Sequence, residues 1–150
     1  MFERQPWMQR AGELPEEDRD YFEFLARCVF SAGLGSRVVE ARWEGLKAAF
    51  AGFDPERVGE MGQADVARLL ADPGVIRNRR KIEAVIENAK RFLVLTREHG
   101  GFAAYLHQAA GENDLERAEQ EVSGRFVHLG PASAALFLFS AGWRRQQAAA

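Results

Sequence analysis

Apolar residues recur along most of this chain at the three- and four-residue spacing of a helix that buries one face. Phe22, Leu25 and Val29 set one such stripe, for a helix from about Asp18 that closes near Gly33. A second stripe, Val39, Trp43, Leu46 and Phe50, predicts a helix with Ser36 as its N-cap and Gly52 just beyond its end. Asp54-Pro55 reads as a cap followed by a proline in the first helical position, opening a short helix towards Glu60. Another short helix, Ala64 to Ala71, stops at Asp72-Pro73-Gly74. The longest runs from about Asn78 to Glu98, with Ile82, Val85, Ile86, Ala89, Phe92 and Leu93 turned inward and Gly100-Gly101 ending it. Phe102 to Ala110, Leu115 to Val122, and Pro131 to near Gly142 complete the set. No segment sustains the alternation of a strand, and Val127-His128-Leu129 is too short to make one. The expected fold is all-α, a compact multi-helix domain over residues 1–150.

Composition narrows the function classes. The chain is 47% hydrophobic and 28% charged, enough apolar material for a real core and too little charge bias for wholesale disorder. No apolar run approaches the roughly 18 residues of a membrane-spanning helix. The start, Met1 to Trp7, lacks the charged-then-apolar order of a signal peptide. A single cysteine, Cys28, excludes an internal disulfide, so a cytoplasmic monomer without membrane contact is expected. Cys28, His99, His107 and His128 are the only soft metal ligands and show no zinc-site spacing, so no metal is expected. Phosphate-binding Walker loops, dinucleotide glycine fingerprints and serine nucleophile elbows are absent.

The formal net charge of −2 hides a strong segregation. Residues 13–23 sum to −5 and residues 111–121 to −4, whereas residues 77–91 sum to +4. Beyond residue 122, Arg125, Arg144 and Arg145 have no acidic counterweight. Such an arrangement can give one positive face on a near-neutral protein. Arg77, Arg79, Arg80 and Lys81 cluster at the start of the longest helix, where positive charge opposes the helix dipole. They read either as a solvated face or as contacts to DNA phosphates.

Two loops carry further chemistry. In Phe126-Val127-His128-Leu129-Gly130-Pro131-Ala132-Ser133, the chain turns at Gly130 into a helix beginning with proline. Read locally this is an ordinary helix start or an anion site, where backbone N–H groups meet a phosphate oxygen and small side chains leave room. In Ala32-Gly33-Leu34-Gly35-Ser36, an apolar tip stands between two glycines. Leu34 is then either a core residue or a wedge for a gap in a base stack.

Taken together these motifs resemble a known family. Leu129-Gly-Pro-Ala-Ser-Ala134 is similar to the second half of the helix-hairpin-helix motif, which grips DNA phosphates in the DNA glycosylase superfamily named after it. Within that superfamily the chain resembles the 3-methyladenine DNA glycosylase I family. The likeness runs through Ala32-Gly33-Leu34, Phe53-Asp54-Pro55 with Val58, Asp65-Val66 with Arg68-Leu69, and Gly74 to Ala89. It ends with Gly130, Phe137, Ser140 and Gly142, so it covers roughly residues 20–98 and 124–143. It implies a DNA N-glycosylase of base-excision repair that flips an alkylated base out of duplex DNA and hydrolyses its glycosidic bond with water and no cofactor. His128, Gly130, Ala132, Ser133 and the Arg77–Lys81 cluster would then contact DNA. Leu34 would probe the stack, with the base near Cys28, Ser36 and Trp43.

Departures fall where that family does its chemistry. The family's base-reading glutamate aligns with Cys28 and its pocket tryptophan with Ser36. Its N-terminal Cys-x-Trp is replaced by Trp7 in another setting, its zinc ligands have no counterparts, and Gln146 to Ala150 contain no acid. Cys28 reads as a pocket thiol or as a small core residue. Glu23, Glu40 and Glu44, with Tyr21 and Trp43, are the nearby groups for a replacement pocket. The alternative to the enzyme is a non-catalytic DNA-binding relative that has lost the pocket, and a helical protein–protein module is a third reading.

Overall fold

The computed structural model describes residues 2–111 and 113–144. Arg145 and Gln146, singled out above, lie outside the described residues. Among these residues the order is α1 (Asp18–Ser31), α2 (Ser36–Ala49), a 3₁₀ turn (Ala51–Phe53), α3 (Pro55–Gly59), α4 (Gln63–Ala71), α5 (Arg79–His99), α6 (Phe102–Ala110), α7 (Leu115–Arg125) and α8 (Pro131–Ser140). No strand occurs among them, in agreement with the all-α expectation. Nor is any described helix long and apolar enough to cross a membrane.

Local chemistry sets most boundaries. Asp54 caps α3, its carboxylate accepting the Glu56 N–H at 3.0 Å ahead of Pro55. Asn78 caps α5 by accepting the Lys81 N–H at 3.1 Å, and left-handed Gly100 closes that helix. At α2 the expectation needs correcting. Gly35 is the N-cap and Ser36 the first helical residue, exposed and without a side-chain capping bond. The cause is the Gly33 and Gly35 backbone, at φ 79° and 84°, which turns the chain one residue earlier.

One apolar cluster draws on every α-helix, from Phe22 and Val39 through Phe92 to Val122 and Phe137. The central α5 packs along α1, α3, α4 and α6, and α1 also packs on α8. The link from α2 to α3 is strained, with Ala51, Gly52 and Phe53 all at positive φ. Non-glycine residues there cost roughly 1–2 kcal/mol each. Burial offsets that cost: Phe53 is fully inside, stacked 4.9 Å from Trp43 and 5.4 Å from Phe50. The same stack fixes the plane of Trp43.

Candidate nucleic-acid interface

Two buried polar side chains on α5 organise the candidate surface. Lys81 turns inward, with its ammonium donating to the carbonyl of Phe30 at 2.9 Å and to that of Ala32. Asn88 makes a two-way bond with Val127, accepting its N–H at 2.8 Å and donating to its carbonyl at 3.0 Å. Lys81 and Asn88 are seven residues apart, so they lie within about 20° of each other around the helix. Their separation along the axis is about 10 Å. One side of α5 therefore holds both loops, the Leu34 tip and the Gly130 turn.

Lys81 thus leaves the phosphate-contact set proposed from sequence. Its charge is spent on carbonyls at the C-terminal end of α1, where the helix dipole favours a cation. Burial pushes its pKa down. Arg77, Arg79 and Arg80 remain exposed beside it. Arg79 pairs with Glu83 at 3.3 Å, but both side chains are about half exposed, so the pair holds it weakly.

The Leu34 tip resolves one open reading. Leu34 is 39% exposed, outside the core, and its loop is tied down by N–H bonds from Leu34 and Gly35 to the Ser31 carbonyl at 3.1 and 3.2 Å. At the second loop His128 is exposed at φ 58°, Leu129 is buried, and Ser123 donates to the Leu129 carbonyl at 3.0 Å. Gly130 caps α8 at φ −71°, with nothing within 4 Å of where a Cβ would sit. Neither conformation nor crowding demands glycine there. Its bare face leaves open space at the start of α8, where the N–H groups of Ala132 and Ser133 precede the first helical bond, from Ala134 to Gly130 at 2.9 Å.

The four base-site candidates split by burial, with Leu34 and Ser36 at the surface and Cys28 and Trp43 buried. Cys28 is buried in the core, and burial pushes its thiol up to about 12 against a smaller pull from Arg27, so it carries no charge at neutral pH. Ser36 and Trp43 lie on the same side of α2 but about 10 Å apart along it, one exposed and one buried. Trp43 donates its indole N–H to Glu23 at 3.1 Å, and Glu23 also pairs with Lys47 at 3.0 Å. A cleft of about 680 Å³ lies elsewhere, lined by residues including Leu14, His107 and Trp143. No group of three or more His, Cys, Asp or Glu side chains suited to a metal forms among the described residues.

Sequence reasoning missed Arg27 and Asn88. Arg27 interrupts the buried stripe of α1, and Asn88 with Lys81 that of α5, and that interruption was the available signal.

The Leu34 tip and the Gly130 turn are thus held on one helix of an all-helical fold. A family model for methyladenine glycosylase matches residues 7–136, and the chain belongs to that family. It is 36% identical over 94 residues to DNA-3-methyladenine glycosylase 1 of Escherichia coli K12, and 32% over 93 residues to DNA-3-methyladenine glycosylase of Haemophilus influenzae. Those stretches are 62% and 61% of this chain and 50% of each relative, so the chain spans about half the length of the curated relatives it matches. In fold it is similar to a tyrosine-to-phenylalanine variant of 3-methyladenine DNA glycosylase I in complex with 3-methyladenine. There the TM-score is 0.80 at 22% identity, covering 94% of this chain and 88% of that one. The Staphylococcus aureus enzyme gives 0.79 at 22%, covering 94% and 87%.

Proposed function

We propose that this chain is a DNA N-glycosylase that removes an alkylated base from duplex DNA, acting as a cytoplasmic monomer in base-excision repair. The observation that carries the reading is the pairing of two loops on one side of α5, the Leu34 tip through Lys81 and the Gly130 turn through Asn88. In this reading the open N–H groups of Ala132 and Ser133 bind a backbone phosphate, with His128 beside them. Arg77, Arg79 and Arg80 neutralise further phosphates. Leu34 enters the stack where the damaged base leaves it.

Flipping costs a few kcal/mol and is cheaper for a damaged base. A 3-methylated adenine is cationic while attached to its sugar, so it leaves without strong acid catalysis. Aromatic faces and carboxylates suffice to recognise such a ring. That suits a chain whose Cys28 offers no carboxylate. Hydrolysis needs only water.

The test is affinity for methylated duplex in the combined Gly130→Asp, Arg79→Glu variant, measured by fluorescence anisotropy. A fall of at least about tenfold is expected, since an anion blocks the turn and one phosphate contact reverses sign. Unchanged affinity removes this face from DNA binding. Wild-type binding without release of any base would instead leave a non-catalytic DNA-binding relative.

A further inference from the structure

Arg27 is 5% exposed, near the middle of α1, among side chains that are otherwise mostly apolar. Its guanidinium carbon lies 3.9 Å from the centroid of the Trp7 ring and 4.9 Å from that of Trp43, over the face of each. The guanidinium donates to the carboxylate of Glu40. Trp43 is itself held by Glu23 through its indole N–H, which places a second carboxylate at this site. The indole N–H of Trp7 is buried with no acceptor among the described residues.

These are the parts of a receptor for a flat cation: aromatic faces for its charge and plane, carboxylates for its N–H edge, and a spare donor on one wall. Here a side chain of the same chain fills it. Arg27 is not locked in. Glu40 is 61% exposed, so the ion pair opens to solvent at its outer side and water competes for it. Burial outweighs the pull of Glu40 and Glu23 and lowers the Arg27 pKa. The neighbouring Cys28 thiol adds no negative charge that would hold the guanidinium in place.

We propose that Trp7, Trp43, Glu23 and Glu40 form a binding site for a planar delocalised cation, and that Arg27 is its built-in occupant, which an incoming cationic ring displaces. The identity of that ring as an alkylated purine rests on the function proposed above; the site and its occupant do not. Displacement frees Glu40 for the ring, since Glu23 is already paired with Lys47. Neutral bases gain hydrogen bonds but no charge–charge attraction from the carboxylates and do not displace a charged competitor, so the occupant sets a threshold that favours cationic rings.

The experiment titrates 1-methyladenosine, a nucleoside whose ring is cationic at pH 7, with adenosine as the neutral control. Wild type, Arg27→Met and Arg27→Lys are followed through the indole N–H resonances of Trp7 and Trp43. With the site open in a tenth of molecules or fewer, Arg27→Met binds the cation at least about tenfold more tightly than wild type. Arg27→Lys, which keeps the charge but loses the flat stacking group, falls between them, and adenosine moves neither resonance in any form. A folded Arg27→Met that binds no more tightly, or that binds adenosine equally, overturns the proposal. If that variant does not fold, Arg27→Lys decides by the same comparison. If neither folds, wild-type Trp7 and Trp43 resonances that fail to move with millimolar 1-methyladenosine overturn it. Base release from methylated duplex, run in parallel, separates the two claims. Release without cation binding keeps the enzyme and removes the site, and cation binding without release does the reverse.

Discussion

Among the described residues two cations are buried, and they are accommodated in opposite ways. Lys81, 4% exposed, gives its charge to backbone carbonyls at the end of α1. Arg27, 5% exposed, lies against two indole faces and a carboxylate that still meets water. Removing Lys81 leaves carbonyls of Phe30 and Ala32 without their partner. Removing Arg27 leaves aromatic rings, which need no hydrogen bond across their faces, and a Glu40 that water can solvate. The lesson is that burial alone does not say whether a charge is structural. What its partners do in its absence does. By that measure Lys81 is a clamp on the Leu34 loop, and Arg27 is a removable occupant.

The sharpest way to break this contrast is Lys81→Met. Unsatisfied buried acceptors cost about 1–3 kcal/mol each. For a chain of this size a loss of about 3 kcal/mol lowers Tm by roughly 6–12 °C, measurable by circular dichroism. A Tm within 2 °C of wild type would contradict the clamp, taking about 2 °C as the smallest shift expected per kcal/mol. Next comes Asn88→Ala, which strands both the N–H and the carbonyl of Val127 and should cost about 2 kcal/mol. Duplex affinity should fall with it, because the Gly130 turn loses its tether. Arg27→Met should cost no more than about 1 kcal/mol, since an apolar side chain of similar length replaces a buried ion. Equal losses for Lys81→Met and Arg27→Met would erase the comparison.

Smaller effects sharpen it. Arg79→Glu with Arg80→Glu should change stability by less than about 0.5 kcal/mol, as exposed substitutions do. The same pair should flatten the dependence of log K on log salt by about 2. At neutral pH the smallest effect is that of Cys28. Its thiol ordinarily titrates at 9.0 and is pushed up to about 12 in the fold. Both folded and unfolded chains keep the proton at neutral pH, so stability is untouched there. As pH rises past 9 the unfolded chain ionises first, and stability falls until about pH 12. Thiol reagents at pH 8 should therefore leave native Cys28 unmodified and label it on unfolding.

Much of the fold was legible because helices write a period into the chain. Phe102–Ala110 has the bounds that the apolar spacing indicates, and the Asp54-Pro55 start of α3 follows from cap chemistry alone. Where periodicity is silent the reading was weaker. Leu115–Arg125 runs three residues past its expected end, held by α8 rather than by its own stripe. The left-handed run Ala51–Phe53 has no local signal, since only the stacking of Phe53 on Trp43 and Phe50 makes it tolerable. The candidate site was legible as two loops and a basic cluster. It was not legible that Lys81, written in the same run as Arg79 and Arg80, points the other way. Helical phase gives its direction, but its partners on α1 are 51 and 49 residues distant in sequence. The same holds for Arg27, whose partners Trp7 and Trp43 meet only in the folded chain.

The most direct measurement is release of free base from methylated duplex DNA, resolved by base, using purified protein with a chelator present. The account predicts free 3-methyladenine, released at a rate that falls when Gly130→Asp and Arg79→Glu are introduced together. Clear duplex binding with no base released would contradict it and leave a DNA-binding scaffold without the reaction.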